Sequence, residues 1–217
     1  MTAKVKICGL KTEATVAAAI GAGADYIGLV LFAKSPRNLA IADAARLGRT
    51  ARASADGLRV KIVTLLVDPD DALLDHVTAE IAPDILQLHG HESIARTAAI
   101  RQRTKTLVMK AISVAAAADV TAGLAYATVA DMLLFDAKPP KDAVLPGGNG
   151  LAFDWRLLTG LKGRTDYMLA GGLTPDNVAA AIRLTGAAAV DVSSGVESSP
   201  GVKDPALIRR FIEAAKA

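Results

Sequence analysis

Apolar, β-branched runs return eight times along the chain, and segments of helical spacing lie between them. The runs are Val5–Cys8, Tyr26–Phe32, Val60–Val67, Ile85–His89, Leu107–Ile112, Met132–Asp136, Tyr167–Ala170 and Ala189–Ser193. Near-continuous apolar runs of this length suit parallel strands covered on both faces. Helical spacing marks Glu13–Ile20, Ile41–Arg52, Pro69–Ile81, Glu92–Gln102, Pro175–Leu184 and Pro205–Ala215; Val114–Ala130 is Ala-rich, and Leu151–Leu161 can supply a further helix. Asp68-Pro69, Thr174-Pro175 and Asp204-Pro205 each put a cap residue before a first-turn proline. Gly21, Gly23 and Gly186 mark helix ends. Strands alternating with helices in this way predict an α/β chain folded as a (β/α)8 TIM barrel, one domain over residues 1–217. A doubly wound open sheet would normally carry a Gly-x-Gly-x-x-Gly turn after an early strand. The sequence has none, and no Pro/Ser-rich linker divides it.

Composition agrees with that packing. Hydrophobic residues make up 52% and aromatics only 4%, so Ala, Val, Leu and Ile must fill the interior. The net charge of +3 comes without a Lys/Arg run or an aromatic platform, and no nucleic-acid partner is expected. One cysteine excludes an intrachain disulfide framework and a CxxC zinc site. The most apolar long window, Val114 to Phe135, carries Asp119 and Asp131, which argues against a membrane span. Lysines at 4, 6 and 11 leave no apolar core for a signal peptide, so a cytoplasmic chain is expected. It would be a monomer or a homodimer.

Strand parity then selects residues. Alternate residues of a barrel strand face inward. In the fourth run Leu86 and Leu88 suit the helix layer, so Ile85, Gln87 and His89 should face the interior. The same rule pairs Lys6 with Cys8, Asp136 with Met132 and Leu134, and Asp191 with Ser193. Polar inward residues therefore gather near the C-terminal strand ends, where barrels hold their sites.

Three kinds of chemistry can be read there. Leu169-Ala170-Gly171-Gly172-Leu173 and Asp191-Val192-Ser193-Ser194-Gly195 close the seventh and eighth runs, and glycine-rich turns expose backbone N–H groups to a phosphate. Asp136 could donate a proton and Cys8, as thiolate, could accept one. Cys8 alone could equally be a small buried hydrophobe. Arg37, in the proline-restrained loop Ser35-Pro36-Arg37, could hold a carboxylate bidentately or be an ordinary surface arginine.

Taken in order, Lys6-Ile7-Cys8-Gly9, Ser35-Pro36-Arg37, Gln87-Leu88-His89-Gly90, Phe135-Asp136, Gly147-Gly148-Asn149-Gly150, the Gly171-Gly172 turn and Asp191–Glu197 resemble the phosphoribosylanthranilate isomerase family. The resemblance implies an Amadori rearrangement of a phosphoribosyl small molecule in tryptophan synthesis. It implies Cys8 as general base, Asp136 as general acid and Arg37 on the anthranilate carboxylate. Gly171, Gly172, Ser193, Ser194 and Gly195 would hold phosphate, with His89 and Asp191 in support. Neither a metal nor a cofactor is implied, because the ring-opened imine supplies its own electron sink. The stretch 138–149 is expected to close over the substrate. Another phosphosugar isomerase on the same barrel, or a non-catalytic phosphate-ligand sensor, are the competing expectations.

Overall fold

The computed structural model describes residues 2–54, 60–139, 145–148 and 150–217. All eight expected strands form, and they close into a parallel barrel in chain order. They are β1 (Lys4–Cys8), β2 (Tyr26–Leu31), β3 (Lys61–Leu66), β4 (Ile85–Leu88), β5 (Leu107–Val114), β6 (Met132–Ala137), β7 (Met168–Leu169) and β8 (Ala189–Val192). Strand β1 closes the ring, with Cys8 in register with Gly28 of β2 and Lys6 in register with Asp191 of β8. That closure sets a thiol, an ammonium and a carboxylate beside one another.

Around the ring lie α1 (Glu13–Gly21), α2 (Ile41–Ala53), α3 (Asp71–Glu80), α4 (Ile94–Thr104), α5 (Ala117–Leu124), α6 (Val178–Thr185) and α7 (Pro205–Lys216). The Asp204-Pro205 signal is where it was expected: Asp204 accepts the Ala206 and Leu207 N–H groups and Pro205 opens α7. The other two proline signals are displaced. Asp70 rather than Asp68 caps α3, because Asp68 adopts a left-handed φ of 46° and turns the chain first. Before α6, the Thr174 N–H donates to Asn177 Oδ1 and Asn177 Nδ2 donates to the Gly172 carbonyl, a turn that delays the helix to Val178.

The helix expected at Leu151–Leu161 is a 3-10 helix, Trp155–Leu161. Asp154 starts it by accepting the Arg156 N–H, and Gly163 at φ 70° turns the chain soon after. A piece that short gains little from α-helical cooperativity. The Ala-rich segment after β5 likewise divides into α5 and a 3-10 turn, Ala125–Thr128.

Parity divides the apolar residues as the sequence predicts. Tyr26, Val63, Ile85, Met109, Leu134, Met168 and Ala189 form a cluster inside the ring, while Leu86, Leu88, Leu133 and Phe135 belong to the larger core under the helices. Inside the ring, the apolar cluster floors the barrel and the polar inward residues stand above it.

The N-terminal face carries a repeated device that the sequence pattern alone did not suggest. Asp25, Asp84 and Asp131 precede β2, β4 and β6, and accept the backbone N–H groups of Val5, Ile62 and Val108 on β1, β3 and β5. Each carboxylate satisfies a donor at the start of the preceding strand, where an unpaired backbone group would be costly. Among the described residues no helix is long and apolar enough to cross a membrane.

Candidate active site

A cavity with an empty volume of about 790 Å³, its open mouth included, lies at the C-terminal strand ends. Cys8, Arg37, His89, Asp136, Gly171, Gly172, Asp191, Ser193 and Ser194 all line it. Gly195, also expected there, does not: a Cβ on it would stand 1.9 Å from the Leu173 carbonyl oxygen. Backbone packing against Leu173 requires glycine there.

On one side of the mouth, β1 and β8 bury a charged group. Lys6 has no exposed surface, and its Nζ donates to Asp191 Oδ1 at 2.9 Å. Glycine at position 28 makes room for it, since a Cβ there would lie 2.8 Å from Cys8 Sγ and 3.1 Å from Lys6 Nζ. Burial pushes the Cys8 thiol pKa up, the neighbouring Lys6 pulls it down, Asp191 pushes it up again and Lys203 pulls it down; the net direction is upward. Burial works against the Lys6 ammonium, but Asp191 and Cys8 outweigh it and raise its pKa. Lys6 is therefore a fixed positive charge. Sequence parity had pointed it inward without giving it a task; the mid-strand glycine opposite Cys8 was the missed signal.

Arg37 lies close by, buried to 5% exposure, but its fork is already engaged. Its Nε and Nη2 donate to Glu197 Oε1 and Oε2 at 2.7 and 2.8 Å, and Nη2 reaches the Gly148 carbonyl at 3.3 Å. Glu197 belongs to a hairpin of β9 (Glu197–Ser199) and β10 (Val202–Lys203), and Lys203 Nζ donates to it at 2.6 Å. Burial pushes the Glu197 carboxyl up, but hydrogen bonds and charge from Arg37 and Lys203 prevail and lower its pKa to about 2. Lys203 also donates to the Ser193 carbonyl, and Ser193 Oγ donates to the Cys8 carbonyl, so the hairpin braces the β8 turn and β1 together. Glu197 and Lys203 were missed as contributors to the site because nothing local shows that the hairpin folds back under Arg37.

Across the mouth stand His89 and Asp136. Gln87 Nε2 lies 2.9 Å from His89 Nδ1, and an amide donor there leaves the ring proton on Nε2, 3.3 Å from Asp136 Oδ2. Asp136 Oδ1 accepts the Ala137 N–H at 2.8 Å. Gly147 passes directly over the pair: a Cβ on it would lie 2.5 Å from both Asp136 Oδ2 and His89 Nε2. Of the stretch expected as a lid, residues 138, 139 and 145–148 line the cavity, while 140–144 and 149 lie outside the described residues.

The glycine turns complete the mouth. Gly171 and Gly172 have φ of 85° and 67°, which residues with a Cβ rarely adopt. A Cβ would also lie 2.8 Å from the Ala137 nitrogen at Gly171 and 2.7 Å from Ala152 at Gly172. After β8 the chain makes a 3-10 turn, Ser194–Val196, and the two turns face the cavity together.

Backbone turns after β7 and β8 are where barrels of this architecture hold phosphate, and a thiol opposite a carboxyl group is equipment for moving protons. Fold and mouth together are those of a barrel built to hold a phosphorylated small molecule and move protons on it. Comparison with known proteins narrows this. A family model described as N-(5'-phosphoribosyl)anthranilate (PRA) isomerase matches residues 5–214, and the chain belongs to that family. It is 58% identical over 217 residues to the N-(5'-phosphoribosyl)anthranilate isomerase of Paracoccus denitrificans, covering 100% of this chain and 99% of that one. The crystal structure of phosphoribosyl anthranilate isomerase from Thermotoga maritima superposes with a TM-score of 0.86 at 34% identity, over 99% of this chain and 98% of that one. A further phosphoribosyl anthranilate isomerase structure, in complex with reduced 1-(o-carboxyphenylamino)-1-deoxyribulose 5-phosphate, superposes at 0.83 with 32% identity over the same shares.

Proposed function

We propose that this chain isomerises N-(5'-phosphoribosyl)anthranilate to 1-(o-carboxyphenylamino)-1-deoxyribulose 5-phosphate in tryptophan biosynthesis, with Cys8 as general base and Asp136 as general acid. The observation that carries this reading is one cavity lined by Cys8, Asp136 and both glycine turns. Protonated Asp136 donates to the ribose ring oxygen, the C1'–O bond breaks, and the amine lone pair forms an iminium. The C2' proton is thereby acidified. Cys8 thiolate takes it, and the C–H electron pair becomes the C1'–C2' double bond of an enamine that tautomerises to the ketone. The His89 Nε2 proton faces the Asp136 carboxylate left behind.

Arg37 receives the anthranilate carboxylate through Nη1, the nitrogen that its pairing with Glu197 leaves over. The turns at Gly171-Gly172 and Ser193-Ser194-Gly195 hold the phosphate, and Asp191 acts through Lys6. Residues 145–148 already lie over Asp136, His89 and Arg37, which supports closure of the 138–149 stretch on the substrate. We further take the chain to be one cytoplasmic domain acting on a small molecule.

The test is the fall in anthranilate-type fluorescence when purified protein is added to freshly generated N-(5'-phosphoribosyl)anthranilate. Turnover is expected. No turnover together with tight binding of the reduced product analogue would instead identify a phosphate-ligand sensor.

A further inference from the structure

Lys6 is fully buried and does not itself line the cavity, and the proton transfers above do not use it. Burying an ammonium costs several kcal/mol even when it is paired, and an apolar pair of similar size would often stabilise the barrel as well. Strand β1 nonetheless keeps Lys6 two residues before Cys8, on the same face, with Asp191 beside it on β8 at 2.9 Å. Position 28 is glycine, and the space its missing Cβ leaves is bordered by both Cys8 Sγ and Lys6 Nζ.

We propose that Lys6, anchored by Asp191, is the positioning residue that stabilises the thiolate form Cys8 needs as a base. The inference rests on Cys8 being the base and names what activates it. The S–H bond breaks, its proton passes to water at the mouth, and sulfur keeps the electron pair against the Lys6 ammonium. Lys6 keeps its own protons throughout. When the thiolate later accepts the substrate C2' proton, the ammonium is left with Asp191 as its counter-ion, so the site is never without compensation.

The charges around Cys8 fix the sign of each substitution. Lys6 comes from β1, Asp191 from β8, Lys203 from β10 and Arg37 from the loop after β2, with Glu197 offsetting the last two. His89 and Asp136 face it from the other side of the cavity. Strand β2 contributes Gly28, in register with Cys8, and the Tyr26 phenol, in register with Lys6. Removing Lys6 takes away the strongest pull toward thiolate, and removing the Asp191 charge takes away an opposing push.

The experiment measures the pH dependence of Cys8 alkylation by iodoacetamide, beside the pH profile of kcat/KM, in Lys6→Met, Lys6→Arg and Asp191→Asn. In Lys6→Met the thiol inflection should rise by about one pH unit or more, and kcat should fall on the order of 10²-fold with KM changed only a few-fold. Lys6→Arg should restore most of the inflection. In Asp191→Asn the inflection should fall. An unchanged inflection in Lys6→Met overturns the proposal. If that variant does not fold, an unchanged or raised inflection in Asp191→Asn does so. Alkylation reports the thiol itself, so the two layers separate. Full activity in Cys8→Ser refutes the base, whereas lost activity there with an unmoved Lys6→Met inflection refutes the role of Lys6 alone.

Discussion

The two sides of the cavity mouth hold the two groups proposed to transfer protons by opposite means. Cys8 stands among full charges, with Lys6 and Asp191 beside it and the Arg37–Glu197–Lys203 cluster behind. Asp136 stands among dipoles: it accepts the Ala137 N–H, and among the described residues its one side-chain partner in ion-pair range is His89. A buried thiol cannot lose a proton without a nearby cation. A carboxyl group that must donate one is better kept from a permanent cation, which would hold it ionised. The barrel separates these needs by placing them on different strands, three steps apart around the ring.

Several substitutions sharpen or break that contrast. Cys8→Ser and Asp136→Asn should have the largest effects, each lowering kcat about 10²- to 10⁴-fold. Affinity for the reduced product analogue, measured by calorimetry, should stay within a few-fold in both. Arg37→Lys keeps the charge but loses the planar fork that grips Glu197. Steady-state kinetics should then show KM raised roughly tenfold, with kcat less affected.

Gly28→Ala acts on the charged side alone. Its Cβ would press on Cys8 Sγ and Lys6 Nζ, destabilising the fold by about 1–3 kcal/mol in urea unfolding. The same change at Gly147 should leave stability nearly intact and impair the other side, because it lies over Asp136 and His89.

The smallest effect is on acid stability. The Glu197 pKa of about 2 lies below its ordinary 4.5, so its contribution is complete above about pH 4.5 and is lost as pH falls through about 2. Unfolding free energies measured from pH 6 to 2 should fall more steeply in the parent protein than in Glu197→Gln. Equal slopes would show that the hairpin cluster contributes no such linkage.

How much of this was legible in the sequence follows from where each signal resides. The strands and their parity were readable, because burial on two faces writes itself into Ile85–His89 and its counterparts as a local pattern. Cavity-lining residues followed from parity and from the turns after the seventh and eighth runs. Glu197 and Lys203 were not recognised, since their task depends on a hairpin meeting a loop 160 residues away in sequence from Glu197. Asp25, Asp84 and Asp131 were likewise silent: an aspartate before a strand looks like a turn residue until the neighbouring strand's N–H is seen against it. Gly195 shows the converse. Its motif is local, but the pressure that makes it glycine comes from Leu173.

The division of labour across the mouth is tested most directly with substrate deuterated at C2', comparing single-turnover rates of the parent protein, Cys8→Ser and Asp136→Asn. Cys8→Ser should show a full primary isotope effect, because proton removal from carbon becomes limiting. Asp136→Asn should show none, because ring opening then limits. A full isotope effect in Asp136→Asn, or none in Cys8→Ser, would contradict the assignment of acid and base to the two sides.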